Sequence, residues 1–166
     1  MSLVSTLALD RSLIIDFGSQ YTQLIARRVR EVGIYCEIYP HNSQRNRISE
    51  FAPQGIILSG GPDTVTEEQT PRPDPFLFDL GKPILGICYG MQVMVHQLGG
   101  NVNPSNKKEF GHSELNISDI KHDLFNDIDL KIQAWMSHGD KITKLPEGFN
   151  TLAFTNNSPI LSLIHI

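Results

Sequence analysis

Short apolar runs alternate with helical patterns through the first hundred residues. The apolar runs predict buried strands over residues 12–16, 34–39, 55–59 and 83–87. Apolar residues at helical spacing predict helices over 20–32 and 89–98, with Ser19 as the N-cap of the first and Gly33 as its stop. Apolar strands joined by helices indicate a parallel sheet that helices cover on both faces.

The pattern changes after residue 100, where short strands are separated by turns. Strands are predicted over 115–117, 132–136, 152–155 and 160–164, and the Pro- and Thr-rich stretch 62–75 is predicted to be a surface loop. We therefore expect an α/β fold, with a doubly wound, mostly parallel sheet and an antiparallel or mixed C-terminal extension. Residues 1–11 are interpreted as a lead-in or cloning remnant, and residues 12–166 as one domain.

Composition narrows the classes of function. The chain has 166 residues, of which 40% are hydrophobic and 19% charged, and its net charge is -4. The acidic balance argues against a nucleic-acid-binding face, which needs clustered basic residues. No apolar run approaches the roughly 20 residues of a membrane-spanning helix. Two cysteines are too few for a disulfide scaffold and match no metal motif, so a cytoplasmic protein is the simplest interpretation.

The segment Gly86-Ile87-Cys88-Tyr89-Gly90-Met91-Gln92 joins a predicted strand directly to a predicted helix. This arrangement is typical of a nucleophile elbow, here with cysteine as the nucleophile. The helix N-terminus favours the thiolate, and the N–H of Tyr89 is placed to bind an oxyanion. Most cysteines are small buried residues, but the glycines that flank Cys88 favour a reactive thiol. Cys36 has no such setting and is predicted to be structural.

A second glycine-rich segment, Ser59-Gly60-Gly61-Pro62, follows the third predicted strand. Glycines at this point let the backbone approach a ligand and offer N–H groups to an anion. By itself, the segment also fits an ordinary turn. Because ligands of open α/β sheets bind at the carboxyl ends of the strands, we expect Gly18, Gly60 and Cys88 to meet on one rim.

Together, these segments resemble the class I glutamine amidotransferases, which carry Gly-x-Cys-x-Gly-x-Gln and Ser-Gly-Gly-Pro motifs. Residues 15–31 and the segment Trp135-Met-Ser-His-Gly-Asp140 are similar to the amidotransferase domain of the GMP synthase branch of that family. The resemblance covers about residues 12–160. It implies a flavodoxin-like fold.

The resemblance also implies residue roles. Cys88 would attack the side-chain amide of glutamine, and Gly60 and Tyr89 would supply oxyanion N–H groups. The residues that would help to hold glutamine are Gly61, Gln92, Ser137 and His138. The ammonia would pass to a synthetase (ATP pyrophosphatase) domain outside this chain, which uses XMP, ATP and magnesium. No metal or cofactor is expected in the glutaminase part.

One element of the family pattern is missing from these residues. The family completes its catalytic triad with a His-Pro-Glu segment, and no histidine here is followed by proline. His165 follows an apolar strand but comes too early, and His138 fits a binding role better than that of general base. His96, on the helix after the elbow, is expected to pack or to face solvent, whereas His41, His112 and His122 are expected to be solvated surface histidines in loop-like stretches. A chain that ends here is expected to be slow or inactive, and its open sheet edge would favour low stability or oligomerisation.

Three alternatives remain open from the sequence. The chain could serve another class I amidotransferase, such as the anthranilate type. It could be a non-catalytic module that binds glutamine or a partner domain, as the missing His-Pro-Glu segment suggests. It could also be a cysteine hydrolase or a redox protein with the same elbow, although the glutamine-enzyme segments speak against this.

Overall fold

The chain divides into two compact units, Met1–Met94 and Val95–Ile166, in a computed structural model that describes residues 10–118 and 123–165. Residues 1–9 of the expected lead-in lie outside the described residues. Arg11, the last residue of that predicted segment, is the first residue of strand β1.

The first unit contains a parallel four-stranded sheet. Its strands are β1 (Arg11–Asp16), β2 (Tyr35–Pro40), β3 (Gly55–Leu58) and β4 (Ile84–Gly86). They lie in the order β2-β1-β3-β4, and all neighbours are parallel. This is the strand order of flavodoxin-like sheets. All four strands occur where apolar runs predicted them.

Helices cover both faces of this sheet, as predicted for a doubly wound fold. On one face, Ile14 of β1 and Cys36 of β2 pack against Ala26 of α1 (Thr22–Glu31). On the other, the ring of Tyr39 lies 5.7 Å from that of Phe51 in α2 (Arg45–Phe51). Cys36 and Tyr39 are three positions apart on one strand, so they point to opposite faces.

The start of α1 differs from the prediction. Ser19 is not the N-cap, since Tyr21 holds that position without a side-chain hydrogen bond. Instead, the Asp16 carboxylate accepts hydrogen bonds from Gly18 N (3.0 Å) and Thr22 Oγ1 (2.7 Å), while Ser19 Oγ accepts one from Tyr21 N. An Asx turn therefore organises the chain before the helix and moves the helix start to Thr22.

Three short elements were not predicted, one of which is the 3-10 helix Asp123–Phe125. Helix α2 buries only Ile48 and Phe51, too few residues to produce a clear helical period. A 3-10 helix, Pro75–Leu80, follows the segment 62–74, which has no regular helix or strand, as predicted. This segment is not wholly at the surface, because Val65 is buried. Helix α3 (Tyr89–Gln97) follows β4.

The second unit contains an antiparallel sheet in the order β6-β5-β7-β8, which confirms the predicted extension. Its strands are β5 (Asn101–Ile117), β6 (Lys131–Lys144), β7 (Phe149–Phe154) and β8 (Ser162–His165). β5 and β6 are much longer than predicted, because only the core end of the ladder is apolar. There, Leu115, Ile117 and Leu152 share one buried cluster. The rest alternates with polar residues and gives no apolar run.

The end of α2 supplies a stability prediction. Ala52 is the C-cap of α2 and has a φ of 49°, a left-handed conformation that costs a side chain roughly 1–2 kcal/mol. Replacing it with glycine removes this cost, so Ala52→Gly is expected to raise the free energy of unfolding by about 1 kcal/mol in urea denaturation. The matched control is Ala26→Gly, within α1 and fully buried, which is expected to be destabilising. Equal destabilisation by both variants would contradict the left-handed cap.

Candidate functional site

Cys88 lies in a sharp turn between β4 and α3. β4 ends at Gly86, α3 begins at Tyr89, and Cys88 has a φ of 50°. A non-glycine residue in this region stores backbone strain of roughly 1–2 kcal/mol. The side chain of Cys88 is exposed at the helix N-terminus, where the dipole favours the thiolate. The local geometry is therefore that of a nucleophile elbow, as predicted.

The flanking glycines let the elbow pack against neighbouring backbone. A Cβ atom at Gly86 would lie 2.6 Å from Met91 Cα. A Cβ atom at Gly90 would lie 2.6 Å from the carbonyl carbon of Leu58 and closer still to its oxygen. Real side chains do not tolerate such approaches to backbone, so both positions require glycine.

Two hydrogen bonds attach the elbow to the end of β3. Ile87 N donates to Leu58 O at 2.9 Å, and Gly90 N donates to Ser59 O at 3.0 Å. Gly60 follows at once, and a Cβ atom there would lie 3.8 Å from Cys88 Cβ and 3.5 Å from Ser19 Oγ. The loops that follow β1, β3 and β4 therefore meet beside the thiol, which confirms the predicted rim.

Ser59 connects two of these loops, a role that the sequence pattern did not predict. Its side chain is fully buried, and its Oγ accepts a hydrogen bond from Phe17 N at 3.1 Å and donates one to Gly60 O at 2.8 Å. The Gly60 carbonyl therefore has a fixed partner, which limits rotation of the backbone at this point. A hydroxyl residue between an apolar strand and two glycines is the only sequence signal of this role.

The side chain of Tyr89 was also missed, because only its backbone N–H entered the prediction. The ring is 1% exposed and lies edge-on to Phe17, with 5.3 Å between the ring centroids. Its hydroxyl donates a hydrogen bond to Pro71 O at 2.7 Å. Burial raises the pKa of Tyr89, against a smaller opposing effect from Thr70, so the phenol stays protonated as a donor.

Two further candidates lie in the first unit. Gln92 is buried on the first turn of α3, and its N–H donates to Cys88 O at 3.1 Å. Gly61 lies against Phe17, since a Cβ atom there would come within 2.9 Å of Phe17 O. Five of the candidate residues therefore belong to this unit: Gly60, Gly61, Cys88, Tyr89 and Gln92.

The remaining two candidates, Ser137 and His138, lie on β6 of the second unit. Ser137 is exposed and opposes Phe110 in the ladder, while Nδ1 of His138 lies 3.1 Å from Asp140 O. Their roles in holding glutamine remain predictions.

The other histidines have varied settings. His41 stacks on Phe17 with 6.2 Å between the ring centroids. The prediction of a loop position was wrong for His112, which lies on β5 and contacts Trp135 edge-on at 5.0 Å. His96 is on α3 and His165 is the last residue of β8, whereas His122 lies outside the described residues.

The two cysteines differ sharply in environment. Cys36 is 1% exposed, and its thiol donates a hydrogen bond to Ala26 O at 3.5 Å. Burial raises the pKa of the Cys36 thiol. A reagent in solution can therefore reach Cys88 while Cys36 stays protected in the folded chain.

Residues 10–118 and 123–165 contain no group of three or more His, Cys, Asp or Glu side chains that could hold a metal ion. Within the same ranges, no helix has the length and apolar character needed to cross a membrane.

Comparison with known proteins gives consistent matches. A family model described as glutamine amidotransferase class-I matches residues 13–166. GMP synthase [glutamine-hydrolyzing] from Alteromonas mediterranea is 51% identical over 157 residues, covering 90% of this chain and 30% of that protein. The corresponding protein from Thiobacillus denitrificans is 52% identical over 161 residues, covering 93% of this chain and 31% of that protein. The chain thus spans about three tenths of these relatives.

Solved structures support the fold. A protein from Thermoplasma acidophilum, described as one subunit of a GMP synthase, superposes with a TM-score of 0.82 at 27% identity, covering 93% of this chain and 77% of that one. A glutamine amidotransferase from Thermotoga maritima has a TM-score of 0.73 at 20% identity, covering 94% of this chain and 71% of that one. At this lower identity, the second match shows the fold alone.

The strained elbow leads to a prediction on Cys88. Because its φ is 50°, Cys88→Gly is expected to be more stable than Cys88→Ala by about 1 kcal/mol in urea denaturation. The same pair at Cys36, on a regular strand, is the control, and there the alanine variant is expected to be the more stable. If alanine were the better residue at both positions, the elbow would not have the left-handed backbone.

Proposed function

Since this chain belongs to the class I glutamine amidotransferase family, we propose that it releases ammonia from glutamine through Cys88, as part of a GMP-forming enzyme. The observation that carries the proposal is the exposed thiol of Cys88 at a strained strand-to-helix turn, with the Gly60 backbone beside it. A residue that packs the core needs neither the exposure nor the strain.

The reaction follows the chemistry of covalent acyl transfer. The Cys88 thiolate attacks the side-chain amide carbon of glutamine and forms a tetrahedral adduct with a negatively charged oxygen. The N–H groups of Tyr89 and Gly60 are assigned to this oxyanion, where the loss of one donor typically costs about 10²–10³ in rate. The adduct expels ammonia after proton transfer to nitrogen and leaves a glutamyl thioester. Water then hydrolyses the thioester to glutamate and restores the thiol.

Recognition of glutamine is assigned to Gly61, Gln92, Ser137 and His138. The buried position of Gln92, one helical turn after Cys88, supports its part in this set. Ser137 and His138 are included because they belong to the Trp135-Met-Ser-His-Gly-Asp140 segment, which is similar to that of the GMP synthases.

The relatives named GMP synthase support the proposal that the ammonia is used to form GMP. We assign it to a synthetase (ATP pyrophosphatase) domain that activates XMP with ATP and magnesium, in the part of those relatives that this chain does not span. A cytoplasmic location and the absence of a cofactor from the glutaminase part belong to the same proposal.

A non-catalytic glutamine-binding module is the second candidate. Such a module would bind glutamine without forming a covalent bond to Cys88, so a covalent assay separates the two candidates.

The test uses a chloroketone analogue of glutamine and intact-mass spectrometry. We expect a single adduct, mapped to Cys88, that forms more slowly when glutamine is present, while the buried Cys36 stays unmodified. The matched reagent is a chloroketone whose side chain is one methylene shorter, and the matched variant is Cys88→Ser. If Cys88 reacts with iodoacetamide but shows no preference for the glutamine-shaped reagent, the proposed glutaminase function is wrong.

A further inference from the structure

The side chain of Tyr89 joins the elbow to the segment 62–74. Its hydroxyl donates a hydrogen bond to Pro71 O at 2.7 Å, and its ring is buried against Phe17. Glutamine chemistry at Cys88 uses only the backbone of Tyr89. The buried phenol therefore has a contact that the proposed reaction does not account for.

The same ring borders the glycine segment that follows β3. A Cβ atom at Gly61 would lie 3.2 Å from Tyr89 Cδ1, 3.1 Å from Phe17 Cβ and 2.9 Å from Phe17 O. Gly61 thus packs closely against both Phe17 and the Tyr89 ring, with no room for a side chain. A displacement of the Tyr89 ring would therefore be transmitted to Gly60 and Gly61, next to the thiol.

The segment 62–74 is braced, which means that hydrogen bonds within it and an ion pair at its end hold it in shape. Arg72 Nη2 donates hydrogen bonds to Val65 O at 3.0 Å and to Glu67 O at 3.1 Å, which closes the segment on itself. At its far end, Asp74 forms a two-point ion pair with Arg45, with distances of 2.6 and 2.7 Å. The Tyr89 hydroxyl is thus hydrogen-bonded to a segment that its own hydrogen bonds hold in shape.

We infer that Tyr89 is a positioning residue, whose hydroxyl holds the braced segment 62–74 against the elbow and thereby fixes the Gly60–Gly61 backbone beside Cys88. This inference rests on the proposed function, because it concerns the oxyanion N–H groups of the same site. The phenol acts through the backbone and does not itself touch the reacting atoms.

The consequence is a selective loss of reactivity. Alkylation by iodoacetamide displaces iodide at a saturated carbon and creates no oxyanion, so it reports only on the thiol. Attack on the carbonyl of a chloroketone passes through a negatively charged oxygen and needs the aligned donors. Loosening the donors should therefore slow the second reaction while the first is unchanged.

The experiment measures both rate constants at Cys88 in Tyr89→Phe. We expect the rate with the glutamine chloroketone to fall roughly 10-fold, less than the 10²–10³ typical of a donor that is removed outright. The rate with iodoacetamide and its pH profile should match those of the unmodified chain. Tyr35→Phe is the control, since it removes an exposed hydroxyl that donates to the Glu37 carboxylate on the same strand, and it should change neither rate.

Folding is monitored within the same samples, because alkylation of the buried Cys36 would reveal unfolded chains. If Tyr89→Phe unfolds, Arg72→Lys tests the same inference from the segment itself, and the same selective loss is expected. Equal loss with both reagents, or no loss with either, would overturn the positioning role. If the unmodified chain has no preference for the glutamine-shaped reagent, the proposed function fails first, and the two failures are thus distinguishable.

Discussion

The close backbone contact between the elbow and the end of β3 is the constraint on which the candidate site depends. Gly90 lies so near the Leu58 carbonyl that no side chain fits, and the N–H groups of Ile87 and Gly90 donate to the carbonyls of Leu58 and Ser59, at the end of β3 and just after it. This contact holds the start of α3 against the end of β3. It also places Cys88 beside Gly60, because Gly60 lies in the loop that leaves β3, two residues after Leu58.

Two buried side chains, those of Ser59 and Tyr89, hold together loops that this backbone contact does not join. Ser59 ties the loop after β1 to the loop after β3 through bonds to Phe17 N and Gly60 O. Tyr89 ties the elbow to Pro71. Preorganised backbone donors stabilise a developing charge because they need no reorganisation during the reaction. Buried hydrogen bonds such as those of Ser59 and Tyr89 would hold these backbone groups in place.

Some of these features were predicted from the sequence, and others were not. Strands β1 to β4 were visible as apolar runs, and the spacing of Gly86, Cys88 and Gly90 encodes the elbow directly. The length of β5 was missed because polar residues occupy most of its ladder. The bonds of Ser59 and of the Tyr89 hydroxyl could not be predicted, since they depend on which loops meet in space. Sequence patterns report local periodicity, whereas the Tyr89–Pro71 bond joins residues 18 positions apart and the Phe17–Ser59 bond joins residues 42 positions apart.

Reactivity and selectivity have different physical sources in this chain. In the proposed function, the helix N-terminus and the N–H groups near Cys88 act on the thiol and the oxyanion, but backbone donors are the same for every acyl group. Discrimination of glutamine from shorter amides must come from side chains that measure its length and bind its polar ends. The residues proposed to recognise glutamine are Gly61 and Gln92 of the first unit and Ser137 and His138 of the second, and they differ from the proposed oxyanion donors, Gly60 and Tyr89. On the proposed function, general thiol reactivity and glutamine preference should therefore be separable by substitution, because different residues are assigned to each.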